Sequence, residues 1–327
     1  MNVIPTAGRA RIALVAALTA LALLATACGS SDSGSSYPRR DVQVIVPYPA
    51  GSGIDTTTRA LVDIINDDGD FGHRLQVVNR EGGAGSVGTT AILNAKPDGY
   101  TIGVVPDGPL TLVPQTEDVS YDPDKLTVLN ELIAGPIMFV VPGGSPFKDL
   151  GDLVDAAKAH PSSITIGEGP LNYRIPADLL EQKAGVKLKR VKFDGDQATT
   201  TALLGKNVDV GVMQLASALP QLSSGKLRAL GITSADTVDL VPDVPTFKSQ
   251  GIDVEWLAYN TLIAPEGLKA DVKDKLASTF EKALKSDAFA KAAKKLGLIV
   301  SAAPPEEAAK HLKDKAANAK QVLGSSK

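Results

Sequence analysis

The chain has 327 residues, 34 Lys+Arg against 37 Asp+Glu for a net charge of -3, 4% aromatic residues and one cysteine. That length is long for one hydrophobic core and comfortable for two. The basic residues are scattered rather than striped, which argues against nucleic acid as a partner, and with a single thiol the chain can form neither an internal disulfide nor a thiolate metal cluster.

Residues 9–28 read R-A-R-I-A-L-V-A-A-L-T-A-L-A-L-L-A-T-A-C. A basic start, an apolar run and small residues before the cysteine describe a targeting segment, not a helix of the mature fold. Leu24-Ala25-Thr26-Ala27-Cys28 resembles a bacterial lipobox, with Ala25 where leucine is commoner. The resemblance implies removal of residues 1–27, lipidation of Cys28 and attachment to the membrane through it. Residues 28–39, rich in Gly and Ser, then form a flexible tether.

Beyond the tether, residues 42–46 (VQVIV) read as a strand that Pro47, Pro49, Gly51 and Gly53 stop. Asp55 is placed to cap a helix through residue 65, with Leu61, Ile64 and Ile65 on one face. Strands follow at 76–78 and 101–105, with a helix at 89–95 between them. Farther on, strands are expected at 138–141, 164–166, 188–193, 208–212 and 227–232, with helices at 147–159, 175–184 and 197–204 interleaved. A strand at 261–264, a helix carrying Val272, Leu276, Phe280 and Leu284, and a last amphipathic helix over about 305–323 end the chain. Alternating strand and helix predict α/β lobes with largely parallel strands.

Three loops stand out chemically. In 47–55, backbone N–H groups of Ser52, Gly53 and Ile54 near a helix start suit an oxyanion; Tyr48, Ala50, Gly51 and Asp55 complete that wall. Around Gly83, Ala84, Gly85 and Ser86, glycines permit close approach of a carboxylate. The string 83–88 also matches G-x-G-x-x-G, with Asp107 near the offset of a ribose-binding acid, but it does not follow its strand at once, so a dinucleotide site is not supported. Pro106-Asp107-Gly108-Pro109 offers a third rim. The ordinary alternative for each loop is a tight strand–helix turn.

Several segments together carry a family resemblance: Pro47-Tyr48-Pro49-Ala50-Gly51-Ser52-Gly53-Ile54-Asp55, Val78-Asn79-Arg80-Glu81-Gly82-Gly83-Ala84-Gly85-Ser86, Ala95-Lys96-Pro97-Asp98-Gly99-Tyr100 and Leu240-Val241-Pro242-Asp243-Val244-Pro245-Thr246. In this order the chain resembles the extracytoplasmic solute receptors of tripartite tricarboxylate transporters, the Bug receptors, over about 40–325. The resemblance implies a two-lobed periplasmic-binding-protein fold, type II-like, with the ligand cleft between the lobes. It implies a first lobe of 40–138 and 246–327, a second lobe of 139–245, and Asp55 beside the ligand.

The second lobe departs from the family pattern. Where the family has a Gly/Ser-rich stretch and a histidine, this chain has Gly167-Glu168-Gly169-Pro170-Leu171-Asn172-Tyr173-Arg174. Arg174 is a candidate for a bidentate grip on a carboxylate, with Glu168 as a competing internal partner; Asn172 and Tyr173 are candidate neighbours. Phe193 and Asp194 stand where tyrosine and lysine are usual, followed by Gly195. Asp194 and Asp196 suit an amino or hydroxyl solute, or face solvent. Gln214 is a further candidate after its strand.

The expected function is capture of a small organic anion, a carboxylate, for delivery to one large and one small membrane permease subunit. The expected protein is a monomer without cofactor or metal. An extracytoplasmic enzyme is the alternative from another class. The three histidines are far apart and form no H-E-x-x-H, and there is no G-x-S-x-G elbow. A receptor that reports to a membrane sensor is the third reading.

Overall fold

The computed structural model describes residues 37–169, 171–193 and 195–325. Cys28, the apolar leader, most of the tether and Asp194 lie outside the described residues. The α/β body starts at Arg40. Among the described residues, no helix is long and apolar enough to cross a membrane.

The first lobe is built from β1 (Val42–Val46), α1 (Gly53–Asp68), β2 (Leu75–Asn79), a 3-10 turn (Gly83–Gly85), α2 (Ser86–Leu93), β3 (Thr101–Pro106) and two short helices, α3 (Asp107–Thr111) and α4 (Val113–Thr116). β1 lies between β2 and β3 and runs parallel to both. Then comes β4, Leu126–Pro142, an unbroken 17-residue strand. The sequence predicts only its end, 138–141. Its remainder is hidden as a strand because residues 129–134 and 136–141 are buried in unbroken runs, so no alternation of period two survives.

The second lobe follows with α5 (Leu150–Ala159), β5 (Thr165–Glu168), α6 (Leu171–Ala184), β6 (Lys189–Lys192), α7 (Asp196–Leu204), β7 (Val210–Gln214), α8 (Leu215–Ser223) and β8 (Leu227–Ile232). β5 pairs in parallel with both β6 and β7. The chain returns through β9 (Leu257–Pro265), α9 (Ala270–Leu284), α10 (Asp287–Leu296), β10 (Ile299–Ala303) and α11 (Pro305–Ser325).

β4 is the seam. Its first part, Leu126 to Pro136, pairs antiparallel with β9, while Ile137 to Val140 pair antiparallel with β7. The strand order is therefore β2-β1-β3-β9-β4-β7-β5-β6, one curling sheet whose two halves share a strand. Two register shifts in the β4–β9 pairing, between Val128 and Asn130 and between Glu131 and Ile133, bend the strand within its first part, before its partner changes at Ile137.

Each half has its own core. Ile45, Ile92, Val105, Leu110 and Ile263 form one. Phe139, Tyr173, Val212, Phe247 and Trp256 belong to the other, where Phe139 and Phe247 meet edge to face at 4.9 Å. Helix α11 serves both: Leu312 sits in the first core, Ala319 and Val322 in the second. The return segment carrying Phe247, Val254 and Trp256 also packs into that second core.

The fold thus puts two sets of strand-to-helix loops at carboxyl ends of parallel strands, where open α/β sheets bind ligands. One set follows β1, β2 and β3; the other follows β5, β6 and β7. Helices α3 and α6 touch where the sets meet.

Candidate functional site

Ser52, not Asp55, is the N-cap of α1, so the helix starts two residues before the expected cap. Asp55 falls in the first turn and reaches back. Its Oδ2 accepts from the Gly51 N–H at 2.8 Å and from Arg59 Nε at 3.0 Å, and its Oδ1 accepts from Asn79 Nδ2 at 2.8 Å. Asn79 Nδ2 also donates to the Tyr48 carbonyl at 3.0 Å. The Asp55 carboxylate is thus a staple that fixes loop 47–52, and its lone pairs are already committed. Burial pushes its pKa up, but the hydrogen bonds from Arg59, Gly51 and Asn79 outweigh this and hold it below the usual carboxylate range.

The staple leaves few donors for an anion. The Ser52 N–H is used by the Pro49 carbonyl; Gly53 and Ile54, in the helix's first turn, have no intrahelical partner for theirs. Ala50 and Gly51 are exposed, Gly51 at a positive φ of 81°. The Ser52 hydroxyl is shut off from solvent and meets no hydrogen-bond partner among the described residues.

The second loop passes through four successive positive-φ residues, Gly82, Gly83, Ala84 and Gly85. Within it the N–H of Gly85 goes to the Gly82 carbonyl and that of Ser86 to the Gly83 carbonyl. Gly85 is where the first lobe's three loops converge: a Cβ there would lie 2.7 Å from Pro109 and 3.2 Å from the Tyr48 ring. Tyr48 Oη donates to the Ala84 carbonyl at 3.2 Å and so ties the first loop to the second.

Asp107, the expected rim residue, is fully buried. Its Oδ2 pairs with Lys315 Nζ at 2.9 Å and accepts the Tyr259 N–H at 3.3 Å; its Oδ1 has no hydrogen-bond partner among the described residues. Lys315 is 5% exposed, and its Nζ lies 3.8 Å from the Trp256 ring centre and 4.8 Å from that of Tyr259. Desolvation lowers the Lys315 pKa, and the Asp107 charge opposes that. Beyond Tyr259, the His311 ring stacks at 5.2 Å and its Nδ1 lies 2.9 Å from Glu131 Oε2 on β4. Sequence reasoning missed Lys315. The signal was present: it stands among Ala308, Leu312, Ala319 and Val322 on the buried stripe of the last helix.

In the second lobe, Tyr173 and Asn172 are buried at the start of α6. The Tyr173 phenol is pushed well above its usual pKa by burial and then by the charges of Asp196, Tyr48 and Asp107. The helix that carries this phenol touches α3 of the other set of loops. Gly195 caps α7 at a φ of 109°, and a Cβ on Gly169 would be 3.2 Å from the Gly195 Cα. Gln214 donates its N–H to Asp196 Oδ2 at 3.3 Å. Its side-chain amide is turned toward Gly135 on β4, where a Cβ would sit 3.1 Å from Nε2.

Two expected contacts face elsewhere. The Arg174 guanidinium donates from Nε to Asp178 Oδ2 at 3.1 Å, one helical turn on. Glu168 pairs with Arg190 rather than Arg174, and Arg190 Nη2 also reaches Asp178 and Glu181, each at 2.8 Å. These residues line a polar groove of about 780 Å³ on the second lobe. Phe193 folds over Gly167, whose Cβ would meet its ring at 3.0 Å, and packs against the core cluster that includes Met138 and Leu203. Phe193 therefore serves the lobe's own packing, and Arg174 an ion pair at the groove. Among the described residues no cluster of three or more His, Cys, Asp or Glu side chains has the geometry to hold a metal ion.

Comparison with known proteins gives a consistent picture. Residues 68–326 match the model of the tripartite tricarboxylate transporter family receptor. A relative described as "UPF0065 protein in gbd 5'region", from Cupriavidus necator, is 30% identical over 84% of this chain and 83% of its own length. Among solved structures, the periplasmic binding protein BugD superposes with a TM-score of 0.75 at 26% identity, covering 88% of this chain and 98% of that one. MatC from Rhodopseudomonas palustris with bound malate gives 0.75 at 26%, covering 88% and 100%.

Proposed function

This chain belongs to the tripartite tricarboxylate transporter receptor family, and on that premise we propose that its cleft captures a small organic carboxylate outside the cytoplasm. The protein is a solute-binding receptor of two α/β lobes, and no chemical step is asked of it. The observation that carries the ligand reading is the meeting of the two loop sets: Tyr48, Gly85 and Pro109 come together in one lobe, and α3 of that lobe touches α6 of the other, the helix that carries Tyr173. The malate in MatC supports a carboxylate for this cleft too.

In this reading the N–H groups of Gly53, Ile54, Gly83 and Ala84 take the carboxylate. The Tyr48 and Tyr173 phenols, the Ser52 hydroxyl and Asn172 flank it. Backbone donors suit the task because they carry no rotamer entropy and are fixed by the Asp55 staple. The lobes, drawn as 40–138 with 246–327 and as 139–245, close on the solute about β4 and β9. The closed receptor then presents both lobes to a large and a small membrane subunit, tethered through lipidated Cys28. Native mass spectrometry of gently purified protein tests the ligand: a released carboxylate, returned unchanged after incubation, is expected. Turnover of that solute, lost on a cleft mutation, would defeat the receptor reading. Membrane fractionation of C28S tests the anchor: the variant should leave the membrane fraction, and unchanged retention would remove the lipid.

A further inference from the structure

Arg59 stands one helical turn beyond Asp55 on α1, and its guanidinium closes a fork on that carboxylate. Nε lies 3.0 Å from Oδ2 and Nη2 3.0 Å from Oδ1. Nη2 also donates to Asn79 Oδ1 on β2 at 2.8 Å. The same Asn79 donates from Nδ2 to Asp55 Oδ1 at 2.8 Å and to the Tyr48 carbonyl at 3.0 Å. Side chains from α1 and β2 thus form one closed set, and it holds the first loop at two points, the Gly51 N–H and the Tyr48 carbonyl. Tyr48 carries the hold onward, since its hydroxyl donates to the Ala84 carbonyl of the second loop at 3.2 Å.

Arg59 does two separate things in this set. The first is charge. The Asp55 side chain is 3% exposed, and among the described residues Arg59 is the one cation that pairs with it. Without Arg59, an uncompensated carboxylate would stand in the first turn of α1, beside the free N–H groups of Gly53 and Ile54, and like charge disfavours an anion there. The second is direction. An asparagine amide has nearly the same outline on its oxygen and nitrogen sides. The Arg59 donor fixes the Asn79 oxygen on one side, which leaves Nδ2 facing Asp55 and the Tyr48 carbonyl. A flipped amide would set its oxygen against two acceptors and release the loop. A lysine would supply the charge but not the fork.

We propose that Arg59 is a positioning residue of the anion site: it cancels the Asp55 charge and sets the Asn79 amide, so that the loops after β1 and β2 offer their N–H groups in one arrangement with no free negative charge beside them. It acts through Asp55, Asn79 and Tyr48, not on the solute. This rests on the receptor reading above and adds a residue to it.

Hydrogen exchange on the ligand-free full chain reads the positioning, and calorimetry with malate reads the charge. The amides of Gly51, Ser52, Gly85 and Ser86 are each bonded within the two loops. R59M should speed their exchange at least about tenfold while α9 keeps wild-type rates. R59K should keep more malate affinity than R59M and still leave the loops faster than wild type. R59M should bind malate at least about tenfold more weakly than wild type, and D55N/R59M, which removes the stranded charge, should bind it more tightly than R59M does. Unchanged loop exchange in R59M would overturn the inference and leave the receptor reading standing, as would a double variant no tighter than R59M. Faster exchange throughout the chain would overturn it too, by giving Arg59 a part in the whole fold instead of the loops. Failure of malate, succinate and adipate alike to bind wild type would count against the receptor reading, and the loop exchange would still decide the place of Arg59.

Discussion

Replacing Lys315 with Met tests the buried pair that ties the cleft to the last helix. The substitution keeps most of the side-chain volume and removes the charge. Asp107, 0% exposed, then keeps only the Tyr259 N–H at 3.3 Å. Breaking a buried pair by removing one partner costs about 3–5 kcal/mol, because the other charge stays behind uncompensated. The ammonium contact with Trp256 at 3.8 Å is lost as well, worth about 2 kcal/mol when desolvated; some of this overlaps with the pair and some is replaced by the thioether on the ring. The expected loss for K315M is therefore about 3–5 kcal/mol. D107N should lose a similar amount, since it strands the ammonium. The double variant D107N/K315M removes both charges and should lie within about 2 kcal/mol of wild type. Urea unfolding at neutral pH, followed by the emission of Trp256, reads all three. A K315M loss under about 1 kcal/mol, or a double variant whose loss equals the sum of the singles, would refute the argument that the pair is one desolvated unit.

Other substitutions separate recognition from packing. R174A should leave carboxylate affinity unchanged and cost under about 1 kcal/mol, because Arg174 is part-exposed and bound to Asp178; a tenfold loss of affinity in calorimetry would return it to the ligand shell. R190A should cost about 3–5 kcal/mol in urea unfolding, since it strands the largely buried Glu168, while Asp178 keeps Arg174; a loss like that of R174A would contradict this. Asp196, raised in the fold to about 6, should make ligand-free wild type lose stability as pH rises. Its folded pKa lies above the unfolded value of about 3.9. The contribution is thus fully present below about pH 4 and gone above about pH 6, a difference of roughly 2–3 kcal/mol. D196N should gain on wild type across that window, and parallel stability curves for the two proteins would show that Asp196 is not desolvated.

How much was legible in the sequence depends on whether a residue's partner is local. The strands expected at 42–46 and 101–105 are found as Val42–Val46 and Thr101–Pro106, apolar runs bounded by Pro and Gly. The glycine loops were visible because positive φ at Gly82, Gly83 and Gly85 leaves a trace in composition. β4 was largely hidden, since burial on both faces and two register shifts erase its period. α8, α10 and β10 were not foreseen either; α10 is capped by Ser286, whose side chain accepts from the Phe289 N–H, a cap that a closer reading of S-x-x-F would find. At the site, the Asp55 staple depends on Asn79, 24 residues away, and the Asp107–Lys315 pair joins residues from distant parts of the chain. Such pairings are set by topology, not by spacing. Arg174 was the reverse case: its partner Asp178 stands four residues on, at ordinary helical ion-pair spacing.

Helix α11 gives Leu312 to one core and Ala319 and Val322 to the other. Neither lobe can therefore be complete until the last residues of the chain are available. During synthesis from the N-terminus, the emerging chain stays short of its native packing throughout, with apolar surface uncovered in both halves. A chain ended at Ala303 should accordingly show protease-sensitive sites in both lobes; cleavage confined to one lobe would show that the other closes without the helix.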